Sequence, residues 1–295
     1  MTVLLRDDIP QVRRRAMPKP RLVARAPRVS IVIPAYNEAA VIERCLTAAV
    51  DQDVSAWEII VVDNRSTDRT GDIVRRVAAE CPEARIRLIE QSAVQGLIPT
   101  RNLGFAISTG EVLGRIDADT VIARDWVARV AEAMADPWVG AVTGPVTYYD
   151  VPVVGTSRVS DDLVRRLLRR LGGTCPFLYG SNMAVRANVW RTIRHDACLD
   201  PEDLFHEDID LSIHLQDAGV QVGYLSSMRG AVSARRLSSS WASYRNYTDR
   251  FKRTYAAHGV GHWRLDGPRL LLQGVYWLVR AIRSLSSTRG AGCWR

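Results

Sequence analysis

Several familiar signatures are missing from this chain of 295 residues. Its five cysteines (Cys45, Cys81, Cys175, Cys198 and Cys293) are odd in number and never spaced C-x-x-C. That argues against a disulfide framework and a zinc ribbon, and makes a reducing, cytoplasmic compartment the expectation. No G-x-G-x-x-G follows the first strand-like run and no G-x-x-x-x-G-K-[ST] occurs, so dinucleotide and Walker-type phosphate binding lack support. Without an H-E-x-x-H, the residues His206, His214, His258 and His262 read as structural or exposed side chains. The segment "PRLLLQGVYWLVRAIRSL" (268–285) is shorter and more charged than the ~20 mostly apolar residues that span a bilayer. The opening "MTVLLRDDIPQVRRR" reaches charge before an apolar signal of useful length forms. No internal repeat is evident.

What is present is ordinary in amount and uneven in place. Hydrophobic residues make up 47% and charged residues 24%, as in globular proteins with a substantial core. The net charge of +8 is concentrated at the ends. Residues 1–28 carry eight Lys/Arg against two acids, and residues 229–295 carry thirteen against two, leaving 19 against 28 between. An acidic body repels phosphate, so a nucleic-acid partner is not expected. Basic flanks suit an anionic membrane surface, where 268–285 could lie as an amphipathic helix; the plainer alternative is a helix packed on the domain.

From Val29 a strand-then-helix rhythm begins. "RVSIVIP" reads as a strand stopped by Pro34, and "EIIVVD" (58–63) and "ARIRLIE" (84–90) as further buried strands. "EAAVIERCLTAAV", "STDRTGDIVRRVAAE" opened by Ser66, and "PTRNLGFAIS" with Pro in its first turn read as the intervening helices. Such alternation predicts a parallel sheet covered on both faces, with right-handed crossovers and ligands at the carboxyl ends of the strands. Farther on, "DWVARVAEAMADP" reads as a helix, "VGAVTGPVTYYD" as strand, "VSDDLVRRLLRRLG" as a basic helix, "HEDIDLSIHLQDAG" as a helix closed by Gly219, and "VQVGYLSS" as strand, which predicts a mixed sheet. The expected boundaries are a basic arm (1–28), a first half (29–120), a second half (121–240) and a basic helical region (241–295).

Three polar loops would share the rim: Ala35-Tyr36-Asn37-Glu38, Asp63 to Asp68, and Asp117-Ala118-Asp119. In "GRIDADT" the two aspartates follow an apolar run, and an extended backbone would point both the same way. Like charges on one side call for a cation between them; a solvated turn is the alternative reading. Glu207-Asp208 could equally be ordinary first-turn helix acids, and Asp63 a turn cap.

The segments "VSIVIPAYNE", "EIIVVDNRSTDRT", "TRNLGFAISTGEVLGRIDADT", "GSNMAVR" and "HEDIDLSIHLQDAG", in this order over about residues 29–226, resemble the family-2 glycosyltransferases. The resemblance implies an α/β GT-A fold: a Rossmann-like, mostly parallel sheet flanked by helices and merged with a smaller mixed-sheet acceptor half. It implies inverting transfer of a sugar from a nucleoside-diphosphate sugar to an acceptor hydroxyl. Pro34, Ala35, Tyr36, Glu38 and Asp63 would then hold base and ribose, with Arg101 near the nucleotide. Asp117 and Ala118 would lie by ribose and sugar, and Asp119, with Asp117, would bind Mg²⁺ or Mn²⁺. Gly180, Ser181 and Asn182 would face donor sugar and acceptor. Asp208 would be the base, with Glu207 as the fallback, and ionised at its helix N-terminus.

Arg235 and Arg236 in "SARRLSSSW" could grip the diphosphate or form a solvated basic turn. The acceptor stays open among lipid-linked saccharide, protein, polysaccharide end and small molecule. Basic flanks tilt the expectation to a cell-envelope acceptor at the inner membrane face. Two rival readings are a sugar-1-phosphate nucleotidyltransferase, which would show a Gly-rich basic loop where this chain has "PAYNEAA", and a non-catalytic module, which would be expected to lose the acids.

Overall fold

The computed structural model describes residues 25–150, 177–197, 200, 202, 204–259, 269–270, 273–274 and 276–277. The expected basic helix "VSDDLVRRLLRRLG" and all but the last four residues of the basic arm lie outside them. Strands β1 (Val29–Ala35), β2 (Glu58–Asp63), β3 (Ile86–Glu90) and β4 (Val112–Arg115) run parallel in the order β3-β2-β1-β4. Between them lie α1 (Ile42–Val50), α2 (Thr70–Glu80) and α3 (Leu97–Ile107).

The strands are apolar throughout because both faces are covered. Ile31, Ile33, Ile59 and Val61 pack in one layer with α1 and α2 residues Ile42, Leu46, Val74 and Val77. Their neighbours Val32, Ile60 and Val62 point the other way, into a layer with Ile98 and Phe105 of α3. Pro34 does not stop the first strand, as the sequence suggested. It sits inside β1 opposite Val62, and pairing with β4 reaches only Val32, so on that side Pro34 has no neighbouring strand whose acceptor would miss its N–H.

The sheet then continues with reversed partners. The remaining elements are β5 (Val121–Ile122), α4 (Trp126–Ala133), β6 (Val139–Thr143), β7 (Val146–Tyr148), β8 (Met183–Arg186) and α5 (Ala187–Ile193). They are followed by α6 (Glu207–Asp217), β9 (Gln221–Tyr224), β10 (Gly230–Val232) and α7 (Trp241–Ala257). Strand β8 lies antiparallel to both β4 and β6, completing a seven-stranded sheet ordered β3-β2-β1-β4-β8-β6-β9. A second, mixed sheet has the order β5-β10-β7. "VGAVTGPVTYYD" is therefore two strands in two sheets, broken at Gly144-Pro145.

Helix α6 buries nearly its whole circumference, which explains its unbroken series Ile209, Leu211, Ile213 and Leu215. It ends at Gly219, whose φ of +68° few other residues adopt readily. No helix among the described residues is long and apolar enough to cross a membrane.

Candidate active site at the ends of the parallel strands

The loops after β1 and β2 are stapled together. Asn37 takes a left-handed φ of 55°, tolerated by asparagine, and its Oδ1 accepts from Thr67 N–H at 2.8 Å. The N–H groups of Asn37, Glu38 and Ala39 donate to Ser66 Oγ, Thr70 Oγ1 and Asp68 Oδ2. Ser66 is thus a loop staple, and α2 begins four residues later than the sequence suggested, at Thr70. Asp63 Oδ1 accepts from Ser66 N–H at 3.1 Å, so the turn-cap reading of Asp63 describes its bond here. Asp63 also lines a cleft of about 260 Å³ together with Arg65, Ser66, Asp68, Gln91 and Ser92. Pro34 and Ala35 are buried at the strand end, whereas Tyr36 is 50% exposed on the rim.

The two aspartates after β4 are not extended. The strand ends at Arg115, and the next residues form a turn in which Thr120 N–H donates to Asp117 O and Asp117 N–H to Thr120 Oγ1. Asp117 and Asp119 therefore do not alternate as strand residues do, because the backbone turns before it reaches Asp119. The carboxylates are nonetheless close enough to repel. Burial first, and then the Asp117 charge, push the Asp119 carboxyl up to about 6, opposed by Arg235. Ala118, between them, is buried in the core.

Arg235 bridges this turn to the first loop. Its guanidinium contacts both Glu38 oxygens at 2.5 and 2.6 Å, and its Nε lies 3.2 Å from Asp119 Oδ2. Arg236 instead lies 3.9 Å from the centre of the Tyr247 ring on α7. Burial, opposed by Arg236 and reinforced by the charges of Asp208 and Asp117, pushes the Tyr247 hydroxyl up.

The start of α6 separates the two adjacent acids. Glu207 Oε2 is 2.5 Å from Arg101 Nη1, and its Oε1 is 2.5 Å from Arg115 Nη1. Arg115 Nη2 continues to Asp117 Oδ1 at 2.6 Å. Burial favours the neutral form of Glu207, but the two guanidinium groups outweigh it and hold the carboxyl below its ordinary range. Asp208 has no arginine at salt-bridge distance among the described residues. Its Oδ2 accepts from Gly180 N–H at 3.0 Å and its Oδ1 from Ile209 N–H at 2.9 Å. Burial, and then the Glu207 charge, push Asp208 up to about 6 despite the helix N-terminus. Its ionised form is thus less favoured than the helix position alone suggested.

Gly180 is required by close approach: a Cβ there would stand 1.6 Å from Arg115 Nη1 and 2.7 Å from Glu207 Oε1. Two expected ligand contacts, Arg101 and Asn182, and the fallback base Glu207 have partners inside the protein. Arg101 is wholly buried, neither solvated nor on the rim, with its guanidinium on Glu207 and Asn102. Asn182 is also wholly buried; its Oδ1 accepts from Trp126 Nε1 and its Nδ2 donates to Pro145 O and Met228 O, tying both sheets together. Glu207, the fallback base, has each oxygen on an arginine. Ser181 is half-buried beside the turn, its carbonyl accepting from Thr120 Oγ1 at 3.3 Å.

The sequence reading missed Arg115, whose signal was a charge inside an apolar strand. It also missed that Asp210, His214 and His258 converge.

The profile of glycosyl transferase family 2 matches residues 30–194, more than half of the chain. The chain belongs to glycosyl transferase family 2. The related family group 2 profile matches residues 115–287. Glycosyltransferase AglE of Haloferax volcanii is 36% identical over 124 residues, which are 41% of this chain and 40% of that protein. This chain spans 40% or less of the length of such sequence relatives.

Solved structures share the GT-A fold at low identity. The mannosyltransferase PcManGT from Pyrobaculum calidifontis, in complex with GDP-Man and Mn²⁺, superposes with a TM-score of 0.65 at 23% identity, covering 92% of this chain and 77% of that one. Glucosyl-3-phosphoglycerate synthase from Mycobacterium tuberculosis, with Mn²⁺ and UDP, gives 0.54 at 20% identity, covering 80% and 82%.

The family-2 rim fits a divalent cation. Asp117 and Asp119 offer only oxygen donors, which hard cations such as Mg²⁺ and Mn²⁺ prefer. The Asp119 side chain is 9% exposed and under like-charge pressure from Asp117, a strain that a cation would relieve.

Proposed function

We propose that this family-2 protein is an inverting, metal-assisted glycosyltransferase that moves a sugar from a nucleoside-diphosphate sugar to an acceptor hydroxyl, with Asp208 as the base. The observation that carries the reading is the division of labour at the start of α6. Glu207 is locked by two arginines, while Asp208 is held by two backbone N–H groups and has a proton affinity suited to catalysis near neutral pH. A single displacement at the anomeric carbon needs one base and no second carboxylate as nucleophile.

The stapled first and second loops, with Tyr36, Glu38 and Asp63, would take the nucleoside. Asp119 and Asp117 would hold Mg²⁺ or Mn²⁺, which when bound neutralises charge on the departing diphosphate. Arg235, already at Asp119 and Glu38, is placed to contact a diphosphate brought there. Arg101 and Arg115 act from behind, fixing Glu207 and so the position of Asp208. Nuclear magnetic resonance of the product's anomeric proton tests the stereochemistry: inversion is expected, and retention refutes a single displacement by an Asp208-activated hydroxyl.

Asp119→Ala is expected to abolish the Mn²⁺-dependent part of nucleoside-diphosphate binding, read by calorimetry, while leaving the fold intact. Undiminished metal-dependent affinity in this variant would remove Asp119 from the metal set.

We also propose a lipid-linked saccharide acceptor at an anionic membrane. Trp277, 60% exposed, packs on Trp241 and Tyr276 in an aromatic cluster with Tyr244, and Leu270 is 56% exposed, in a region rich in arginine. Flotation with anionic liposomes should carry the protein upward, and less so as salt increases. Recovery wholly in the soluble fraction would contradict the membrane reading.

A further inference from the structure

Away from the rim, α6 and α7 bring three ligand-type side chains to one point. Asp210 and His214 are one turn apart on α6, and His258 is the residue that closes α7. One ligand atom from each lies within 4.8 Å of the others. His258 Nε2 is 2.6 Å from Asp210 Oδ1, and His214 Nε2 is 3.6 Å from that same oxygen. The two rings meet edge to face with centroids 4.9 Å apart.

We propose that Asp210, His214 and His258 form a zinc-class transition-metal site that clamps α6 to α7, distinct in place and chemistry from the oxygen-only pair Asp117 and Asp119. Zinc bonds imidazole nitrogen and carboxylate oxygen at roughly 2.0–2.2 Å, which puts tetrahedral ligand atoms about 3.3 Å apart. His214 Nε2 at 3.6 Å from Asp210 Oδ1 is near that value, and His258 Nε2, now at 2.6 Å, would move out by somewhat less than about 1 Å to share a metal. A hydrogen bond joins His258 to Asp210, while His214 at 3.6 Å is too far for one and still faces the same oxygen. Two imidazoles with one carboxylate select zinc and its transition-metal neighbours over Mg²⁺ or Ca²⁺.

Access and rigidity also suit the role. Asp210 is buried, with a side-chain exposure of 6%, while the His214 and His258 side chains keep 21% and 15%, leaving a way in for a water on a fourth position. His214 and Asp210 share α6 with Glu207 and Asp208, and His258 shares α7 with Tyr247. A metal here would therefore fix the helix that carries the proposed base against the helix that carries Tyr247.

The test uses the full chain, stripped of metal, with Zn²⁺ titrated against a chromophoric chelator and Co²⁺ as a spectroscopic probe. The expected result is one tight Zn²⁺ per chain and a tetrahedral Co²⁺ spectrum without thiolate bands. Asp119→Ala should retain this binding. His214→Gln and His258→Gln, checked for folding by circular dichroism, should each weaken it by more than the ~10–100-fold typical of outer-shell changes. Zinc also raises Tm in the parent and in Asp119→Ala, but not in the histidine variants. No tight zinc in the parent, thiolate bands in the Co²⁺ spectrum, or zinc affinity unchanged in both histidine variants would overturn the site.

Discussion

Asp208→Asn lowers kcat by on the order of 10²–10⁴-fold, the usual worth of a positioned base, with nucleoside-diphosphate affinity little changed. The amide keeps the shape of the carboxylate and can still accept one backbone hydrogen bond, but it cannot take the acceptor's proton. Because burial and the Glu207 charge raise Asp208 to about 6, the proposed base is protonated and idle at low pH, and kcat should rise with pH through that value before levelling. The rising limb should vanish in the asparagine variant.

The same shift has a sign for stability. A carboxyl whose folded value lies above its unfolded one stabilises the fold fully only below the unfolded value, and that contribution is lost as pH rises through about 6. At pH 7 Asp208→Asn regains ~1 kcal/mol by removing the buried charge, and loses about as much because its NH2 faces one of the two backbone N–H groups, so it should be about as stable as the parent. An inactive variant of unchanged stability separates a lost proton acceptor from a damaged fold. Equal loss of nucleotide affinity in Asp208→Asn would mean that its assigned role is wrong.

Glu207→Gln has the opposite profile: a destabilisation of roughly 3–5 kcal/mol, the cost of breaking a buried ion pair while its partners stay buried. Arg101 and Arg115 are both buried and both aim Nη1 at this carboxylate from 2.5 Å. Glutamine removes the charge and offers one acceptor where two guanidinium groups need two. Denaturant unfolding should show a lower midpoint with the slope unchanged. Any surviving fraction should keep the pH limb set by Asp208, the base in the proposed mechanism. A Glu207→Gln protein as stable as the parent would show that the Arg101-Glu207-Arg115 network holds little of the fold.

The course of the chain was legible where burial on both faces writes itself into the residues, as in "SIVIP" and "EIIVVD". The identity of the rim loops was legible for the same reason, since parallel strands send their carboxyl-end loops to one side. Side-chain roles within those loops were less so. Glu207 and Asp208 are neighbours with similar chemistry, and only Arg101 and Arg115, 106 and 92 residues away in the chain, tell them apart. Asp117 and Asp119 looked alternate because a strand was assumed to continue past Arg115, whereas Thr120 closes a turn on Asp117. Asn182 looked like a ligand contact, yet a buried amide with three carbonyl and indole partners holds the two sheets together. Asp210, His214 and His258 carried no spacing signature because the third group arrives from another helix.

The central claim is a metal-dependent nucleoside-diphosphate site built on Asp119. Thermal shift of the parent with UDP, GDP, dTDP, CDP and ADP, each with and without Mn²⁺, tests it most directly. The account predicts that one nucleoside diphosphate raises Tm strongly only when Mn²⁺ is present, and that Asp119→Ala loses the response. No shift with any of the five, with or without Mn²⁺, would contradict it and return the two aspartates to being a turn.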